Sequence, residues 1–123
     1  KALLRRTQQM AKDKQMSFNH HKLMIDHVKR EVKLNGEILT LTPNEYKLIV
    51  TMASYPGRVY SRADLLEKLQ EDGAYFEGYE RNIDTHIKNL RKKMETDTRH
   101  PEFIITVFGM GYKFGGEKDE SNT

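Results

Sequence analysis

With 123 residues, 37% hydrophobic and 32% charged, the chain has the length of one ordinary domain plus a short appendage, and is too apolar for a disordered one. It has no cysteine, which excludes a disulfide framework and a thiolate metal site and suits a reducing cytoplasm, and it has no apolar run as long as a membrane span. A net charge of +3 names no partner by itself, so the position of the charge has to.

Lys1-Ala-Leu-Leu-Arg-Arg6 reads as the end of a helix, and Thr7 to Asn19, polar and without a sustained period, reads as a linker. Residues 20–41 read as a small antiparallel sheet. Val28, Val32 and Leu34 keep an alternating phase that breaks at Arg30. Asn35-Gly36 then supplies the residues a type I′ hairpin turn needs, since both central positions require positive φ, and Glu37–Leu41 returns.

Three helices follow. Thr42-Pro43-Asn44-Glu45 places Thr at the N-cap, Pro in the first turn and Glu three residues on, a complete capping box, with Leu48, Ile49, Met52 and Ala53 as the apolar face and Pro56-Gly57 as the stop. Ser61 and Asp64 open a second helix with Leu65, Leu66 and Leu69 as its stripe. Residues 70–79, acidic, aromatic and glycine-containing, read as a loop. A third helix runs from Glu80 to about Glu95. Phe103–Phe108, Gly109-Met110-Gly111 and Tyr112–Phe114 read as a hairpin with a glycine-rich turn, and the polar residues 115–123 read as a disordered tail.

The third helix concentrates the charge. Ile83, Ile87, Leu90 and Met94 fall within about 60° of one another at 100° per residue, an apolar seam. Arg81, Thr85, Lys88, Asn89 and Lys92 lie opposite, flanked by Asn82, His86 and Lys93. Between Arg81 and Lys93, five cations (Arg81, Lys88, Arg91, Lys92 and Lys93) face one acid, Asp84, giving a local +4 that exceeds the net charge of the whole chain. Lysine and arginine neutralise phosphates, asparagine can pair bidentately with adenine, and a threonine methyl meets a thymine methyl. That combination suits a helix in a DNA major groove, where phosphate contacts position and base contacts specify. A solvated basic face is the plain alternative for one amphipathic helix. Three helices followed by a glycine-turn hairpin favour the helix-turn-helix with a wing.

Arg81-Asn-Ile-Asp-Thr-His-Ile-Lys-Asn-Leu-Arg-Lys-Lys93 resembles the recognition-helix signature of the OmpR/PhoB class of response regulators, Arg-x-Val/Ile-Asp-x-His-Ile-x-x-Leu-Arg-x-Lys. Leu41-Thr-Pro-Asn-Glu-Tyr-Lys-Leu48 is similar to the first-helix entry of that class, and Gly109-Met-Gly-Tyr112 to its wing tip, so the resemblance covers residues 20–114. Lys1–Arg6 is similar to the last turn of the class's receiver domain. The resemblance implies an α+β fold, a winged helix-turn-helix with an N-terminal four-stranded antiparallel sheet, three helices and a C-terminal β-hairpin wing pairing with residues 58–61.

The resemblance also implies an organisation and a function. Residues 1–19 would be receiver end and linker, 20–114 the DNA-binding domain and 115–123 the tail. The function would be sequence-specific binding of double-stranded promoter DNA in the bacterial cytoplasm, as a homodimer on direct repeats. A receiver domain outside this sequence, phosphorylated by a sensor kinase, would drive that pairing. Thr85 and Asn89 would read bases, with Lys88 beside them; Arg81, His86, Arg91, Lys92, Thr106 and Tyr112 would hold phosphates. Loop 70–79 is where some members touch RNA polymerase. Phe108 departs from the class: the wing commonly carries an arginine there that reaches into the minor groove, so this wing would rest on Lys113, on the backbone of Gly109 and Gly111, or contribute little. Asn89 replaces a residue that is often Arg, which favours adenine over guanine.

Two rival readings are weaker. The chain carries no nucleophile–base order and no phosphate loop, since Gly109-Met-Gly follows a strand and precedes no helix. His20, His21 and His27 do not make a metal cluster, because neighbouring strand residues point to opposite faces. No cofactor and no enzymatic activity are expected. The remaining alternative is a winged helix that binds protein, since fold does not fix function.

Overall fold

The computed structural model describes residues 15–71 and 82–120, and within them the chain divides into two compact units. The first holds four antiparallel strands in sequential order, β1 (Gln15–Phe18), β2 (Leu23–Asp26), β3 (Glu31–Leu34) and β4 (Glu37–Ile38). Met16 pairs with Ile25 and Ile25 with Val32, while Phe18 pairs with Leu23 and Leu23 with Leu34. The period of two thus puts six apolar side chains on one face, and all but the half-buried Leu34 are buried. Asn35 and Gly36 take φ of 52° and 83°, the left-handed pair that the β3–β4 turn requires. The alternation fails at Arg30 because the chain turns there, with φ 54°, so β3 begins at Glu31 and not at Val28.

The ends of the expected domain also differ from the sequence reading. The segment expected to be linker up to Asn19 already contains β1. Part of the tail expected to be disordered is bound: Lys118 bridges to Phe18, Asp119 N–H donates to Ser17 O at 2.9 Å, and Asn19 N–H donates to Glu117 O at 2.9 Å. The Asp119 carboxylate explains why this segment is held. It accepts from Ser17 Oγ at 2.5 Å and from the N–H groups of His20 and His21 at 2.7 and 2.8 Å. Those residues and Asn19 form a β1–β2 turn with three successive positive φ angles, 52°, 58° and 66°, an uncommon conformation for side-chain-bearing residues that the carboxylate stabilises. These donors hold its pKa down at about 2.

The second unit, residues 40–116, contains α1 (Pro43–Ala53), α2 (Arg62–Glu71), α3 (Ile83–Met94) and the hairpin β5 (Ile104–Val107) with β6 (Gly111–Phe114). Both capping boxes form. Thr42 Oγ1 accepts from Glu45 N–H while the Glu45 carboxylate accepts from Thr42 N–H, and Ser61 and Asp64 reciprocate in the same way. The three helices pack on one another, and α1 also meets β6. Leu48, Ile49, Met52, Leu65, Leu69, Ile87, Leu90, Phe103, Ile104 and Phe114 form the core, each burial being worth about 1.5–3 kcal/mol. Tyr60 adds a third, single-bridge strand to the hairpin, with Tyr60 N–H donating to Tyr112 O at 2.8 Å and Tyr112 N–H to Tyr60 O at 2.9 Å. Gly111 makes that approach possible, since a Cβ there would lie 2.0 Å from Tyr60 O. Three helices and a hairpin in this order make a winged helix-turn-helix.

Candidate nucleic-acid interface

Helix α3 starts at Asn82, whose side chain accepts from Asp84 N–H at 2.9 Å. Its last turn carries Arg91, Lys92 and Lys93, the charge sign that complements the carbonyl end of the helix dipole. Ile83, His86, Ile87, Leu90 and Met94 are its buried residues. The opposite side presents Lys88, Asn89 and Lys92 exposed and Thr85 partly exposed, at the i, i+3, i+4 and i+7 spacing that shares one face.

The remaining charges of α3 are committed inside the second unit. Arg91 donates to Ile104 O from Nε and Nη2, at 3.1 and 2.8 Å, and from Nη2 to Thr106 Oγ1 at 2.7 Å. Lys93 Nζ lies 2.6 Å from Glu45 Oε1, so the buried cap of α1 is also the partner of this cation. Asp84 Oδ1 accepts from Arg62 Nε at 2.7 Å and from the Tyr112 hydroxyl at 2.5 Å. The Tyr112 hydroxyl, and then the Arg62 guanidinium, hold the Asp84 carboxyl below its usual range. Burial, reinforced by the neighbouring Asp84 carboxylate, pushes the Tyr112 phenol up. The guanidiniums of Arg62 and Arg91 each lie 5.5 Å from the Tyr112 ring centroid, within cation–π range. The wing is therefore fastened to α3 twice, once through each of its strands.

Thr85, Lys88, Asn89 and Lys92 come together as the sequence reading places them. His86 does not join them: it is only 9% exposed. The seam itself carries the reason, because position 86 lies three residues after Ile83 and four before Leu90. Arg91, Thr106 and Tyr112, expected at phosphates, have partners within the fold. Lys113 is half-buried, and Phe108 and Gly109 are exposed at the turn while Gly111 is buried against Tyr60. Arg81, the Lys1–Arg6 helix end and residues 72–79 of the loop lie outside the described residues; Gln70 and Glu71 belong to α2.

Sequence reasoning missed Glu95. This C-cap residue of α3 is 8% exposed, and its carboxylate accepts from the N–H groups of Glu102, Phe103 and Ile104 at 2.7–3.2 Å, fixing the start of β5. An acid two residues after a run of cations reads locally as a surface charge. Among the described residues no group of three His, Cys, Asp or Glu could hold a metal ion, and no helix is long and apolar enough to cross a membrane.

Residues 36–114 match the family model described as transcriptional regulatory protein, C terminal. The chain is 41% identical over 92 residues to the transcriptional regulatory protein BaeR of Escherichia coli, a match spanning 75% of this chain and 38% of that one. Among solved structures it is similar to the Klebsiella pneumoniae RstA DNA-binding domain in complex with the RstA box, at a TM-score of 0.68 and 35% identity over 82% of this chain and 96% of that one. It is also similar to the Thermotoga maritima response regulator DrrB, an OmpR/PhoB homologue, at a TM-score of 0.70 and 29% identity over 94% of this chain and 52% of that one. The chain belongs to the family of C-terminal domains of transcriptional regulatory proteins, the OmpR/PhoB response-regulator class. It spans less than half the length of the curated relatives it matches.

Proposed function

We propose that this chain is the sequence-specific, double-stranded DNA-binding part of a response regulator, acting on transcription in the bacterial cytoplasm and not as an enzyme. One observation carries the reading. On α3 the acid, Asp84, is ion-paired with Arg62 and hydrogen-bonded by Tyr112, whereas Lys88 and Lys92 make no ion pair among the described residues and flank Asn89 on one exposed face. A merely solvated face gains nothing from disposing of its acid and leaving its cations open; a polyanion-binding face gains affinity from both.

In this reading Thr85 and Asn89 meet base edges, with Lys88 beside them, and Lys92 and Arg81 hold phosphates. Arg91, Thr106 and Tyr112 serve chiefly by holding the wing to the helix, and His86 by packing. Two copies would occupy direct repeats about one helical turn apart, brought together by a receiver domain that a sensor kinase phosphorylates. Residues 70–79, the end of α2 and the stretch that follows it, are the candidate contact with RNA polymerase.

The test is fluorescence-anisotropy titration with a pooled random duplex at several salt concentrations. Affinity should fall steeply and log-linearly with salt, and Lys88→Ala or Lys92→Ala should flatten that slope by about 0.9 each on every sequence. Asn89→Ala should instead cost about 1–3 kcal/mol at one base step and relax preference there. Equal effects from all three substitutions would overturn the division of roles. No binding at low salt would favour the protein-binding winged helix.

A further inference from the structure

Two large apolar side chains stand in water at the tip of the wing: Phe108, 91% exposed, and Met110, 60% exposed, on either side of Gly109 with φ 78°. The tight turn needs Gly109 and is closed by Met110 N–H donating to Val107 O, but it makes no use of the Phe108 or Met110 side chain. The hairpin that carries them is tied along both strands, through Arg91 to Ile104 and Thr106 of β5 and through Tyr112 of β6 to Asp84, both anchors being side chains of or bonded to α3. Whatever α3 docks on therefore receives the wing at a fixed offset. The two side chains together could cover on the order of 400 Å² at most, about half of what one partner gives to a stable protein interface. They fit better as an extension of a larger interface than as an interface of their own.

We propose that Phe108, with Met110 behind it, is an apolar wedge that enters the minor groove beside the site held by α3. It packs on deoxyribose and partly unstacks one base step, a contact that brings no charge. This inference rests on the DNA-binding reading and specifies the chemistry of one part of it. A wedge of this kind selects by deformability, so the flanking position should favour pyrimidine–purine steps, which open most readily. Wing recognition would then add specificity that salt does not screen, whereas α3 supplies the screened component.

The experiment selects the tightest duplex from the random pool and compares wild type, Phe108→Ala and Phe108→Arg on it across salt concentrations, with 2-aminopurine placed in the flanking steps. Phe108 is exposed, so neither substitution should disturb folding, and circular dichroism checks that. The expected result for Phe108→Ala is a loss on the order of tenfold, as for removal of one base-stacking side chain, with an unchanged salt slope. The rise in 2-aminopurine emission seen with wild type should disappear. Phe108→Arg should steepen the slope by about 0.9. If wild type binds with a steep slope and Phe108→Ala binds equally well, or if emission never rises, the wedge is wrong and the DNA-binding reading stands. If wild type binds no duplex, both fall.

Discussion

Arg91 and Lys93, at the two edges of the buried side of α3, are held by Ile104 O, Thr106 and Glu45, while Lys88 and Lys92, one to five residues away on the same helix, are open on the other side. The same residue types thus serve two purposes, and spacing on a helix separates them. Cations on the bound side stabilise the unit and fix the wing; cations on the open side contribute little to the fold and remain available. The local +4 read from the sequence overstates the charge offered to a partner, because part of it is consumed internally. The comparison predicts that substitutions on the bound side lower stability, and that those on the open side leave it unchanged and lower affinity alone.

The largest effect should come from the end of the bound side. Glu95→Ala removes the acceptor of three buried or part-buried backbone N–H groups. Stranding such donors should cost about 3 kcal/mol in urea unfolding, against a change within about 0.5 kcal/mol for Lys88→Ala or Lys92→Ala. A Glu95→Ala loss as small as that of the lysines would break the distinction between the two sides.

A smaller effect is expected at the wing anchor. Tyr112→Phe deletes the hydrogen bond to Asp84 while keeping the ring beneath Arg62 and Arg91, so stability should fall by about 1 kcal/mol. The change should also loosen β6, measurable as faster amide exchange at Met110, which donates across the turn to Val107 O at 2.9 Å. Unchanged exchange with lowered stability would mean that the hydroxyl holds Asp84 but not the wing.

Local chemistry explains which features could be read from the sequence. Both capping boxes, the Asn35-Gly36 turn and the apolar seam of α3 involve residues within a few positions of one another, and all three formed. The Lys93–Glu45 pair and the Arg62–Asp84–Tyr112 cluster join elements distant in sequence, and Glu95 reaches seven to nine residues on across an irregular connection, so no periodicity announces them. The bound tail escaped for the same reason, since its strand bridge is to Phe18, a hundred positions away. His86 and β1 could have been found. His86 sits at a seam angle, and Met16 and Phe18 alternate within a polar stretch that hid them. Phe108 was legible as a departure from its class, but its exposure and the anchoring of its hairpin were not.

The smallest effect sharpens the comparison through pH. Asp84 is the acid that the bound side neutralises, and its folded-state pKa lies below the ordinary carboxylate value of about 3.9. A depressed carboxylate contributes stability that is fully present above the unfolded value and is lost as pH falls through the lower folded one. Acidification from about pH 5 should therefore weaken the Tyr112 and Arg62 contacts together, and Asp84→Asn should remove that part of the acid dependence. The same bond has a second limit on the alkaline side. The Tyr112 phenol is raised, so its contribution is present below the ordinary value of about 10 and is lost as pH rises through the higher folded one. Carboxyl carbon shifts of Asp84 followed by NMR would give the acid midpoint directly. A midpoint at the ordinary value would mean that the acid is not neutralised in solution. The open face of α3 would then carry a negative charge at its N-terminal edge, and the case for a polyanion there would lose its first support.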